Sequence, residues 1–335
     1  MSTPHGGPKN KARIGAVVIG RNEGERLRRC LASLQGRVGQ LVYVDSGSTD
    51  GSVELAKSLG SEVVSLDMRL PFTAARARNE GFAKLDKSAL EYVQFVDGDC
   101  EVSEGWLEHA RQRLEEAPRV AVVCGRRRER FPEASIYNRV IDVEWNTPVG
   151  ETKACGGDAL MRIDAFAEVN GFDASLIAGE EPDLCLRMRA RGWTIERLDH
   201  EMTLHDAAIT RFGQFWKRAV RSGHAFAEGA DRHGQTPERH WVKETQRIVL
   251  WGAVIPGVAM SAALPTAGLS LGLLLGYPIS AYRAYKAVHA RGIPDESAIP
   301  YAAFMTVAKF AEMQGVGQYW TNKTRGRRSS LIEYK

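Results

Sequence analysis

The chain has 335 residues, 44% of them hydrophobic and 26% charged, with a formal net charge of +4. That is room for one large α/β domain plus an appendage, in a composition ordinary for a globular protein. The basic residues lack the interleaved stacking aromatics and groove-reading motifs of a nucleic-acid binder, so no nucleic-acid partner is expected. Cys30, Cys100, Cys124, Cys155 and Cys185 are odd in number and without Cys-x-x-Cys spacing. They read as reduced, mostly buried thiols of a cytosolic compartment, which argues against a disulfide frame or a zinc site.

Residues 1–12 are polar and rich in Gly and Pro, with no apolar h-region, and are expected to form a short disordered tail without a signal peptide. Ile14 to Ile19 reads as a buried strand running into Gly20-Arg21-Asn22-Glu23-Gly24, after which Leu27, Leu31 and Leu34 recur with helical spacing. A second strand, Leu41 to Val44, leads into Asp45-Ser46-Gly47-Ser48-Thr49-Asp50-Gly51-Ser52. The helix after it carries Val53, Leu55, Ala56 and Leu59, with Gly60 as its stop signal. Glycine-rich loops between a strand end and a helix start attract phosphate, although the same loops also turn a chain without binding anything.

Tyr92 to Val96 reads as a third buried strand, and it ends in Asp97-Gly98-Asp99. Ligands of open α/β sheets bind beyond the strands' carboxyl ends. Two carboxylates flanking a glycine at that edge suit a hard divalent cation, Mg²⁺ or Mn²⁺, held together with substrate phosphates. The triplet taken alone also makes an ordinary polar turn. After the strand Val120 to Val123, the run Arg126-Arg127-Arg128-Glu129-Arg130 reads either as a solvated face or as a contact for a lipid diphosphate.

The second half changes character. Residues 248–282 carry no charge, lie between Arg247 and Arg283, and are punctuated by Pro256, Pro265 and Pro278. One spanning helix needs roughly 20 apolar residues, so the run is expected to form a hairpin of two short helices that dips into or crosses the bilayer. Lys243 and Arg247 before it, with Arg283, Lys286 and Arg291 after it, place both ends on the cytoplasmic side. A buried helical pair in a soluble subdomain is the alternative. Phe212, Phe215, Trp216, Ala219 and Val220 recur helically among basic residues, as do Phe304, Val307, Phe310 and Ala311 before the basic tail Lys323 to Arg328. Each segment suits either an anionic interface or packing on the protein's own core.

Taken in order, Val18-Ile19-Gly20-Arg21-Asn22-Glu23, Val44-Asp45-Ser46-Gly47-Ser48-Thr49-Asp50-Gly51-Ser52 and Ala77-Arg78-Asn79-Glu80-Gly81 are followed by Phe95-Val96-Asp97-Gly98-Asp99, Gly156-Gly157-Asp158 and Gly179-Glu180-Glu181-Pro182-Asp183. In this series, over residues 13 to about 225, the chain resembles a family 2 glycosyltransferase. The resemblance implies the GT-A fold: α/β, Rossmann-like, with a mostly parallel sheet flanked by helices, here followed by a C-terminal helical, membrane-associated region. The expected layout is a catalytic domain over 13–210, amphipathic interface helices over 211–247, the hydrophobic hairpin over 248–282, and a C-terminal helix and basic tail over 283–335.

The resemblance also implies roles. Asp99 is the first metal ligand, Asp97 binds the ribose or the metal, and His205 joins the metal. Gly20, Asn22 and Glu23 face the nucleoside, Asp45 accepts from the base, which fits uracil, and Arg78 touches base or phosphate unless it is a solvated helix charge. The family's general base closes a Glu-Asp pair. Here the pair is Glu180-Glu181, so Glu181 is the expected base, with Glu180 second, and repulsion between them is expected to raise one pKa. Asp158, after two glycines, is expected to line the acceptor side.

No separate nucleophile is evident, so direct attack with inversion is expected. The Gln-x-x-Arg-Trp motif of processive synthases is missing, which points to transfer of one sugar per encounter. The expected activity is metal-dependent transfer from a nucleotide-sugar, UDP-sugar favoured, to a lipid-linked or polysaccharide acceptor at the cytoplasmic face of a membrane, the bacterial inner membrane. Its rivals are a nucleotidyltransferase and a catalytically inactive glycosyltransferase-like binding protein. A dehydrogenase is disfavoured because the first strand lacks a Gly-x-Gly-x-x-Gly turn.

Overall fold

The computed structural model of the chain describes residues 13–327 and 329–333. The expected disordered tail, 1–12, lies outside the described residues, as does Arg328 of the basic tail. Among the described residues, β1 (Ile14–Gly20), β2 (Gln40–Asp45), β3 (Glu62–Ser65), β4 (Tyr92–Asp97), β5 (Cys100–Val102), β6 (Val120–Glu129), β7 (Gly150–Thr152), β8 (Ala159–Arg162) and β9 (Thr194–His205) form one sheet. Its order is β3-β2-β1-β4-β8-β6-β9-β5, with β7 paired to β9.

The helices in chain order are α1 (Glu25–Leu34), α2 (Ser52–Ser58), α3 (Ala74–Lys84), α4 (Trp106–Glu116), α5 (Ile136–Trp145), α6 (Ile163–Glu168) and α7 (Glu180–Arg189). They continue with α8 (Phe212–His233), α9 (Val242–Val249), α10 (Ile255–Ser261), α11 (Gly276–His289) and α12 (Asp295–Thr324). The chain divides into two compact units. The first runs up to Arg130 and includes Asn146–Leu176 and Glu180–Ala207; the second has Phe131–Trp145, Ile177–Gly179 and the chain from Ala208 on.

In the first unit, the apolar runs of β1, β2 and β4 are buried almost completely, which is why they read as continuous rather than alternating strands. β1 lies between β2 and β4, parallel to both. The chain leaves β1 toward β2 and β3 and returns to β4 on the other side of β1. That reversal opens a crevice at the carboxyl ends of β1 and β4, ahead of Gly20 and Asp97. Beyond β4 the sheet is mixed, because β8 pairs antiparallel with both β4 and β6. Leu27, Leu31 and Leu34 of α1 and Trp106 of α4 are fully buried, each contributing roughly 1.5–3 kcal/mol or more by removal from water. The indole N–H of Trp106 donates to Gln94 Oε1 (2.9 Å), so the buried polar group is satisfied.

In the second unit, α8 and α12 pack along one another at glycines. A Cβ on Gly223 would come 2.0 Å from the Glu312 carbonyl oxygen, and one on Gly315 equally close to that of Val220. Phe215, Ala219 and Val220 are buried, and Phe215 meets Phe304 edge-on at 5.1 Å. Phe215, Ala219 and Val220 of the first basic amphipathic segment and Ala311 of the second thus face the protein's own core, whereas Phe212 and Phe310 stay exposed. The uncharged run forms a helical hairpin. Its first limb is α9, a π-helical turn (Leu250–Val254) and α10; its second is a 3₁₀ segment (Leu269–Leu275) and α11. Among the described residues, no helix is long and apolar enough to cross a membrane.

Candidate active site

The Asp97-Gly98-Asp99 turn is pinned to the tip of β1, because the Gly98 N–H donates to the Ile19 carbonyl (2.8 Å). β5 then pairs antiparallel with β9, with Cys100 opposite His205. The Asp206 N–H donates to the Asp99 carbonyl (3.1 Å). This pairing brings Asp99 Oδ2 to 3.2 Å from His205 Nε2, with both side chains buried. Ligand atoms of Asp99, Cys100 and His205 lie within 4.8 Å of one another. Burial, reinforced by Asp158 and other nearby carboxylates, holds the Cys100 thiol well above its ordinary pKa. As a neutral thiol it is a poor ligand for a hard cation, which leaves a carboxylate–imidazole pair. That donor set could hold a divalent cation.

Arg78 organises the neighbouring carboxylates. Thr73 caps α3 by accepting the Arg76 N–H (3.1 Å), and Asn79 clasps the backbone of Phe172 from both sides (2.7 and 3.0 Å). These contacts fix Arg78 over the Phe172 ring, 5.5 Å from its centroid. Its guanidinium binds Asp97 at 2.8 Å, Glu180 at 2.9 Å and Glu181 at 3.2 Å. Burial opposes its charge, yet Asp97, Glu181 and Glu180 outweigh that and raise its pKa above the ordinary value. It is thus a buried hub, not a solvated helix charge.

Burial likewise works against the ionised Asp97, but Arg78 and Arg127 overcome it and lower its pKa. Glu181 has the opposite balance. Burial and the adjacent Glu180 exceed the help from Arg78, and its pKa is pushed up to about 7. A carboxylate titrating near neutrality is suited to accepting a proton.

Gly157 belongs to this hub for steric reasons. A Cβ there would sit 2.6 Å from Arg78 Nη2 and 2.7 Å from Asp97 Oδ2, so only glycine lets the 156–158 loop close over the pair. Asp158 itself is fully buried. Its carboxylate accepts the Asp97 N–H (3.0 Å) and the Thr203 hydroxyl (2.8 Å) and pairs with Arg127 (3.0 Å). It buttresses Asp97 from behind and presents no surface to an acceptor, which corrects its expected place on the acceptor side.

Residues 126–129 of the basic run form the tail of β6, with Arg126 and Glu129 buried and Arg128 exposed. Register irregularities between Cys124 and Arg127 distort the strand there, and Arg127 reaches Asp158 at 3.0 Å and Asp97 at 3.8 Å. Bulges commonly re-aim side chains beside active sites. In the sequence Arg127 stands only as one member of the basic run, with nothing to set it apart from Arg126 and Arg128.

The nucleoside-side residues form a linked pair of loops. Asn22, at φ 56°, accepts the Thr49 N–H on its Oδ1 (2.7 Å), and its own N–H donates to Ser48 Oγ (2.9 Å). Gly24 N–H donates to Asp50 (3.0 Å). Glu23 lies over Gly20 and Gly98, within 3.3 Å of where their Cβ atoms would be, and pairs with Arg26 (2.9 Å). Asp45 is nearly solvent-excluded and accepts the N–H groups of Gly47 and Ser48 (both 2.9 Å) and the Tyr43 hydroxyl (3.1 Å). It anchors its own loop. Gly20, Asn22, Glu23, Asp97 and Asp99 thus gather at the β1–β4 crevice, Glu180 and Glu181 join them through Arg78, and Asp45 and Asp158 stand behind.

A parallel sheet reversing at β1, with a carboxylate–imidazole pair past β4, defines an A-type glycosyltransferase fold. The solved mannosyltransferase PcManGT from Pyrobaculum calidifontis, in complex with GDP-Man and Mn²⁺, superposes with a TM-score of 0.59 at 19% identity, covering 94% of this chain and 89% of that one. Residues 16–167 match the model for glycosyl transferase family 2. The pre-mycofactocin glycosyltransferase of Mycobacterium tuberculosis is 25% identical over 316 residues, 90% of this chain. The chain spans 63% of that relative's length. Succinoglycan biosynthesis protein ExoA of Rhizobium meliloti is 26% identical over 271 residues, 76% of this chain and 79% of that protein.

Proposed function

We propose that the chain transfers one sugar, with inversion, from a nucleotide-sugar donor to the hydroxyl of a lipid-linked or polysaccharide acceptor, at the cytoplasmic face of a bacterial inner membrane. The observation that carries this reading is the Arg78 hub, which ties the donor-side carboxylate Asp97 to Glu181, a carboxylate of near-neutral pKa. Asp99 and His205 would hold a divalent cation, which supplies charge compensation for the departing diphosphate. Glu181 takes the acceptor's proton as the hydroxyl attacks, with Glu180 holding the far side of Arg78. Asp97 stays ionised between its arginines and is free to bind the ribose or to complete the metal's coordination. Asp158 and Arg127 keep it in place.

A UDP-sugar is the favoured donor on the family resemblance. A GDP-sugar, the kind of donor bound by the structural neighbour, is the alternative. The hairpin's exposed apolar residues support the membrane location, and ExoA, by its name a biosynthesis protein for succinoglycan, supports a glycan acceptor. The test is a panel of UDP- and GDP-sugars incubated with the protein and Mn²⁺, with nucleotide release and the product's anomeric configuration followed by NMR. Metal-stimulated release from a UDP-sugar and an inverted product are expected. Retention of configuration, or release indifferent to metal and to Glu181→Gln, overturns the reading.

A further inference from the structure

Sugar transfer gives no role to a basic pocket of the second unit. It has a volume of about 410 Å³ and lies between the two limbs of the hairpin and α12. Each of these elements contributes a cation to its lining: Arg247, Arg283 and Lys309. Lys309 also pairs with Glu312 (2.6 Å). Like charges from three separate elements repel across a shared pocket, and an anion seated between them reverses the sign of that interaction.

The pocket is built, not incidental. The Tyr277 hydroxyl donates to the Trp251 carbonyl (2.5 Å), the two rings meet at 5.5 Å, and Tyr277 stacks on Phe310. Trp251 belongs to the π-helical turn, a distortion frequent at functional sites. At Gly252 a Cβ would come within 2.5 Å of the Lys309 carbonyl, so glycine is what lets this turn lie against α12 beside Lys309.

Beyond the pocket the hairpin carries no charge, and its Thr266 and Ser270 hydroxyls are bonded within the hairpin. Leu264 and Leu269 at its tip are 94% and 84% exposed, and Met260 and Leu275 behind them 67% and 65%. From Trp251 in the pocket's aromatic wall to the end of α10 at Ser261 is about 15 Å of helix. That reaches through one leaflet's roughly 15 Å of hydrocarbon and falls short of the roughly 30 Å of both. Cations, then aromatic rings, then bare leucines follow the order of a leaflet read inward: phosphate, interface, acyl chains.

We propose that this pocket binds the phosphate headgroup of an anionic phospholipid in one leaflet, with the hairpin tip inserted among the acyl chains. The proposal deepens the membrane reading given above and rests on it. It is independent of the transfer chemistry.

Native mass spectrometry of the full chain in detergent, titrated with phosphatidylglycerol, phosphatidylcholine or the soluble glycerol 3-phosphate, reads the pocket directly. Flotation with phosphatidylglycerol vesicles reads the membrane. The expected result is a one-to-one phosphatidylglycerol adduct, with phosphatidylcholine and glycerol 3-phosphate much weaker. Arg247→Ala/Arg283→Ala should weaken the adduct about 25-fold, at roughly fivefold per cation. The charge-matched control Lys243→Ala/Arg291→Ala should keep it, and both double variants should keep nucleotide-sugar hydrolysis in detergent. An adduct undiminished in Arg247→Ala/Arg283→Ala, or matched by glycerol 3-phosphate, overturns the pocket while flotation leaves the membrane reading standing. Absence of flotation by the unaltered chain overturns both.

Discussion

Asp97 and Glu181 are held by one guanidinium: Arg78 lies 2.8 Å from the first and 3.2 Å from the second. The end of β4 and the start of α7 are thereby set in a fixed relation, donor-side carboxylate to expected base. The same charge acts on them unequally. Asp97, gripped also by Arg127, stays readily ionised, whereas Glu181, beside Glu180, ionises only near neutrality.

The pH profile should follow Glu181. Transfer needs it ionised, so kcat should rise with pH through about 7. Glu181→Gln should lower kcat by roughly 10²–10⁴-fold and remove that limb, while Glu180→Gln should leave the limb in place at a shifted midpoint. A rising limb that survives in Glu181→Gln assigns the base elsewhere.

Stability should show the converse. The folded pKa of Glu181 lies above the unfolded one, so the folded chain binds this proton more tightly. Its contribution is fully present below the unfolded value and is lost as pH rises through about 7. Glu181→Gln should therefore be relatively more stable than the unaltered chain at pH 8 than at pH 5. Urea denaturation at the two pH values measures the difference.

Removing the hub's cation should be costly. Arg78→Met leaves the buried Glu180 without its guanidinium partner and should cost about 3–5 kcal/mol in urea denaturation. Arg78→Lys should cost less in stability yet still impair turnover, because an ammonium does not reproduce the planar fork that spans the carboxylates. Equal stability of Arg78→Met and the parent would show that the carboxylates do not depend on it.

Gly157→Ala isolates geometry from charge. The added methyl displaces Arg78 and Asp97 by a fraction of an ångström to an ångström, a scale that costs about 10²-fold in rate when it misplaces a reacting group. The expectation is a kcat/KM loss of that order with secondary structure unchanged by circular dichroism. Full activity would place the 156–158 loop outside the working site.

The parts of this site legible in the sequence are those set by local order. The ends of β1, β2 and β4 lie within a residue of where apolar runs meet Gly or Asp, because such runs continue only while both faces are covered. Arg78, Asp97, Glu180 and Glu181 came from ordered motifs. What the sequence withheld depends on non-local pairing. Arg127 is aimed inward by an irregular β6–β9 register, and Asp158 is sealed by Thr203 from β9, neither of which leaves a periodic trace. Phe215 and Phe304 show the same limit: an amphipathic face is equally legible whether it meets lipid or another helix.

Asp99 and His205 carry the proposal that neighbouring strand tips gather a divalent cation around a nucleotide diphosphate. His205→Gln should raise the Mn²⁺ concentration for half-maximal activity roughly tenfold or more, the scale on which even outer partners of a ligand act. The most direct measurement is anomalous diffraction at the manganese edge from crystals soaked with Mn²⁺ and UDP. The account predicts one peak bonded to Asp99 Oδ2 and His205 Nε2, with the diphosphate against it. A bound nucleotide whose manganese lies away from this pair, or that binds with no manganese at all, would contradict it.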